Sequence, residues 1–121
     1  MKTENVRFFS QKTIEQIVSK VDTFRLSENN VEITPAPSEP DAFGRVPVTH
    51  DIDVCIIGQE SRFKYEWFLE LIVDDLGDKR SVEIYTVGNK GLSAVFAEMD
   101  GSNYGLKEGK KMMKKLEKLL R

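Results

Sequence analysis

The chain has 121 residues, 40% of them hydrophobic and 31% charged, with a net charge of -2. That length closes one hydrophobic core and is short for two, so a single domain over residues 1–121 is expected, and the composition excludes both a disordered chain and one dominated by bilayer spans. Cys55 is the one cysteine, which excludes an internal disulfide and a zinc framework built on cysteine pairs.

No apolar run approaches the roughly 20 residues that cross a bilayer, and "MKTENVRFFSQK" lacks the apolar stretch of a secretory signal. The sequence therefore reads as cytosolic. Charge is spread unevenly: residues 31–60 carry a net -5 and residues 101–121 a net +5. A nucleic-acid binder gathers positive charge over its contact face, and an acidic middle segment repels a phosphate backbone.

In chain order, "FFSQKTIEQIVSKVDTFRL" (8–26) places Ile14, Ile17, Val18, Val21 and Phe24 at helical spacing. Ser10 is the expected N-cap, with Phe9 and Ile14 as a hydrophobic staple. Asn29 and Asn30 favour a turn. Val31–Ile33 reads as a short edge strand, followed by a loop over residues 34–47 that holds Pro35, Pro37, Pro40 and Pro47. Proline removes a backbone donor and fixes φ, so no central strand or helix runs through that loop.

From Val48 the period becomes two, with Val48, Ile52 and Val54 on one face and Asp51, Asp53 and Cys55 on the other. Tyr65, Trp67, Leu69, Leu71 and Val73 alternate with mostly polar neighbours, which predicts a second strand. "LGDKR" turns the chain into "SVEIYTV", and "GNKG" turns it again into "LSAVFAEM", because glycine beside Asn or Asp tolerates the positive φ of hairpin turns. The expected class is α+β: an N-terminal helix, an antiparallel meander of about four strands, and a C-terminal amphipathic helix. The last strands carry apolar residues on both faces. That predicts either helices straddling the sheet or one face covered by a partner or a second copy.

In the closing "KEGKKMMKKLEKLLR", Leu106, Met112, Met113, Leu116, Leu119 and Leu120 fall on one side of a helix and the lysines on the other. The apolar stripe is expected to dock on the sheet, and it has no Trp or Phe to rest at a membrane interface. "THDIDVC" groups His50 with Asp51, Asp53 and Cys55, but strand alternation sends His50 to the side opposite the others, so neither a metal site nor a Cys-His dyad is expected. Asp74, Asp75 and Asp78 read as turn residues, and "GNKG" is too short to cradle a phosphate. Trp67 and Tyr65 read as core.

These readings predict no catalytic constellation, metal or cofactor, and favour a protein-binding module. Its contacts are expected at Glu39, Asp41, Phe43, Asp51, Asp53 and Tyr85, with a separate protein or a second copy of the chain as partner. The alternative is a single-stranded nucleic-acid binder in which Lys110, Lys111, Lys114 and Lys115 contact phosphate and sheet aromatics stack bases.

Overall fold

A computed structural model describes residues 3–28, 31–35, 50–58, 66–87 and 104–121. Within them lie β1 (Thr3–Ser10), α1 (Ile14–Ser27), β2 (Val31–Pro35), β3 (Ile52–Gly58), β4 (Trp67–Asp75), β5 (Arg80–Val87) and α2 (Tyr104–Leu120). The strands form one antiparallel sheet in the order β1-β5-β4-β3-β2. The α+β class, the two helices and the antiparallel meander therefore stand as the sequence predicts.

β4 shows most directly why this sequence makes a sheet. Trp67, Leu69, Leu71 and Val73 are buried, while Phe68, Glu70, Ile72 and Asp74 between them are only partly covered, which is the two-residue period of a pleated strand. The register carries that alternation sideways: Leu71 faces Ile84 of β5 and Val54 of β3, and Ile84 faces Val6 of β1. One face thus becomes a continuous apolar layer, to which α1 adds Ile17, Val21 and Phe24 and α2 adds Met112, Met113, Leu116 and Leu120. Phe24 meets the edge of Trp67 with ring centroids 6.2 Å apart, fixing α1 over this side. Both helices lie on the same face. Of the two arrangements the sequence left open, helices straddling the sheet is the one this geometry excludes for α1 and α2: among the described residues every fully buried sheet residue points to one side.

Two glycines set the positions of the connecting pieces, one by its backbone conformation and one by a close approach. Gly77, at φ 97°, takes the left-handed conformation that turns β4 into β5, and its N–H donates to Asp75 Oδ1 at 2.9 Å. On α2, Gly109 rests against Thr86 of β5, where a Cβ would collide with the Thr86 hydroxyl. That hydroxyl is already committed, donating to the Phe68 carbonyl at 2.9 Å.

The start of the chain departs from the sequence reading. Residues 3–10 are an edge strand, and the N-cap of α1 is Thr13, whose side chain accepts from the Gln16 N–H while Gln16 Oε1 accepts from the Thr13 N–H. Ser10 serves the other helix instead: its hydroxyl donates to the Leu120 carbonyl, satisfying one of the orphan acceptors at the end of α2. Lys12 Nζ donates to the Arg121 carbonyl at 2.6 Å, so the connection between β1 and α1 is tied to the end of α2. The short edge strand near Val31 is present as β2. The predicted strand "LSAVFAEM", the start of β3 at Val48 and Thr49, and most of the proline loop lie outside the described residues.

Candidate functional site

Among the described residues no helix lies on the second face of the sheet. Its side chains follow from the register in transverse rows. Arg7, Glu83, Ile72 and Asp53 form one row; Asn5, Tyr85, Glu70, Cys55 and Thr34 form the next; Phe68, Ile57 and Glu32 lie beyond. On the other side of the first row, Phe9, Ser81 and Asp74 follow. Apolar groups and the five carboxylates Glu32, Asp53, Glu70, Asp74 and Glu83 are interleaved across this face, with Phe68, Glu70, Ile72 and Asp74 alternating along the central strand β4.

Glu83 and Asp74 have cationic partners among the described residues. Arg7 Nε donates to Glu83 Oε2 at 3.1 Å, and Asn5 donates to the same oxygen at 3.2 Å. His50 Nδ1 lies 2.9 Å from Asp74 Oδ1; since a carboxylate can only accept, the imidazole carries its proton on that nitrogen. The hydrogen bond to Asp74 holds the His50 pKa above its ordinary value; burial opposes the rise, and the charges of Asp74, Asp53 and Glu70 add to it. The Tyr85 hydroxyl is also held above its ordinary pKa, by burial first and then by its bond to Glu83.

His50 therefore joins the acidic side, contrary to the alternation expected of it. The reason is local. β3 begins at Ile52, and Asp51 sits in a bend whose Oδ2 accepts the Asp75 N–H at 2.7 Å, so residue 50 is not bound by the pleat. The His50-Asp74 pair has the form of a base with its orienting acid, but Cys55 lies five residues further along the chain, about 16 Å at the strand rise. The pair cannot activate that thiol. Asp53 presents a second oddity: its Oδ1 is out of contact with water and has no hydrogen-bond partner.

The sequence-predicted contact residues divide accordingly. Asp53 and Tyr85 share the second face, in adjacent rows on β3 and β5 with β4 between them. Asp51 is committed to the backbone of Asp75, which makes it a fastening of the β3 and β4 ends rather than an open contact. Glu39, Asp41 and Phe43 lie outside the described residues.

The lysines of α2 divide as well. Lys115 Nζ is 2.9 Å from Glu28 Oε1, and Lys110 Nζ is 3.8 Å from Glu4 Oε1. Lys111 and Lys114 are exposed and have no acidic partner among the described residues, as is also true of Lys107 and Lys118. Composition alone could not separate the tethered lysines from the others, because Glu4 and Glu28 are distant in sequence.

No described helix is long and apolar enough to cross a membrane. Compared with known protein families, curated proteins and solved structures, the chain matches none of them.

Proposed function

We propose that the chain is a non-catalytic protein-binding module whose recognition surface is the acidic second face of the sheet, centred on Asp53 and Tyr85. The supporting observation is the one-sided placement of the helices, which spends the apolar stripes of α1 and α2 on one face. The other face keeps Phe68, Ile72 and Tyr85 among five carboxylates. Apolar groups interleaved with charge suit a recognition patch: aromatic and aliphatic groups supply desolvated area, and the carboxylates select a partner of opposite sign. The partner is accordingly a cationic protein. Two-fold pairing of this face with itself would set like charges against one another, so a separate protein suits it better than a second copy.

The test is affinity capture with the wild-type chain and with an Asp53→Ala, Tyr85→Ala variant, both checked for folding by circular dichroism. The wild type is expected to retain a basic protein that the variant releases, with retention falling as salt rises. A strictly monomeric chain that captures nothing, or capture indifferent to both substitutions, overturns the reading.

A further inference from the structure

The lysines of α2 are not one undifferentiated basic face. At 100° per residue, Lys107, Lys111, Lys114 and Lys118 fall within about 60° of arc, on a line down the helix. Lys110 and Lys115 flank that line on either side. Each leans to a different neighbour, Lys110 to Glu4 of β1 and Lys115 to Glu28 beyond the end of α1. The apolar side carrying Met112, Met113, Leu116 and Leu120 is buried diametrically opposite. The central four lysines therefore form a ridge about 16 Å long facing away from the sheet. An open depression of about 540 Å³ beside it is lined by Lys111, Lys114, Lys115, Glu117 and Lys118. Glu117 does not neutralise the ridge, since its Oε2 takes the Arg121 guanidinium at 2.7 Å.

We propose that this ridge binds the phosphate backbone of a single strand of nucleic acid, as a surface separate from the acidic sheet face. Four like charges in single file, without tethering acids, repel one another and are relieved by a linear polyanion that places charges along the same line. A single file follows one backbone, whereas straddling a duplex groove takes charge on a broader band. Lysine contributes point charges without the planar fork that reads base edges, so recognition is indifferent to sequence. A membrane is the poorer occupant because the apolar side of α2 is consumed by the core and leaves nothing to enter the acyl region. The acids of the second sheet face lie across the sheet from α2 and so do not screen the ridge.

Fluorescence anisotropy with a labelled 20-nucleotide oligothymidylate tests this with the full chain. Binding is expected at low salt, with log affinity falling against log salt at a slope near -3 for four released counterions, roughly a 50-fold loss between 50 and 200 mM. Replacing Lys107, Lys111, Lys114 and Lys118 by Gln, all exposed and therefore compatible with folding, abolishes it. Replacing the tethered Lys110 and Lys115 by Gln leaves most of it, and so does Asp53→Ala on the sheet face. The proposal is overturned if the chain ignores the oligonucleotide, or if the Lys110 and Lys115 substitutions cost as much as the ridge substitutions. Tighter binding to phosphatidylserine vesicles, or competition by poly-glutamate as effective as by unlabelled oligonucleotide, overturns it in favour of a membrane or an acidic protein.

Discussion

His50 is the residue at which acidity is written into stability. Its pKa is raised in the folded chain, chiefly by the bond to Asp74. Folding therefore favours the protonated ring. The pair's contribution is fully present below the ordinary histidine value of 6.5 and is lost as pH rises through the raised folded value. With Asp74 nearly half exposed, that contribution is below about 1 kcal/mol. Urea denaturation of wild type and His50→Gln should differ near pH 5.5 and converge near pH 8.5; a gap that widens with pH contradicts the assignment. Asp53 lacks such a bond at one oxygen. Its Oδ1 is shut away without a hydrogen bond, so Asp53→Ala should leave stability unchanged or raise it, even as partner capture is lost. A marked drop in melting temperature would show that the carboxylate is structural.

Among the elements, α2 was the easiest to read. Its leucines and methionines repeat at core spacing, and Leu116 and Leu120 are fully buried where that spacing puts them. β4 was legible for the same reason with the other period. β1 was not: Val6 and Phe8 enter the core side while Phe9 is 60% exposed, so adjacent phenylalanines disguise the alternation and suggest the opening turn of a helix. Ser10 and Thr13 are both good caps by type, and only the Gln16 side chain three residues after Thr13 separates them. Thr13→Ala should thus cost about 1 kcal/mol of unfolding free energy, and Ser10→Ala should act through the end of α2 instead. Gly109→Ala offers a sharper check of the α2 docking. Helix propensity alone would gain about 1 kcal/mol, but the collision with Thr86 costs about 1–3 kcal/mol, so denaturation should show a net loss. A stabilised variant would mean that α2 stands further from β5.

At the scale of the molecule, the near-zero net charge conceals opposed surfaces: carboxylates across the second sheet face and a lysine ridge on the far side of the helix layer. The segment charges made that separation visible in outline, since residues 31–60 and 101–121 have opposite sign. They could not show that the acids of β3, β4 and β5 share one face, because that depends on register across three strands, nor that both helices crowd the other. His50 illustrates the same boundary, its direction being set by a bend held from a neighbouring strand. Two surfaces of opposite sign on one small fold suit a connector, with a cationic protein on one side and a polyanion on the other. The most direct test places a photo-crosslinking phenylalanine analogue at Tyr85, with Leu26 on α1 as the control position, and irradiates the protein in the cells that make it. A discrete cationic protein joined from position 85 and not from position 26 is the predicted result. Adducts that form equally from both positions, or that return from position 85 into the same chain, would contradict the claim that the second sheet face is a recognition surface.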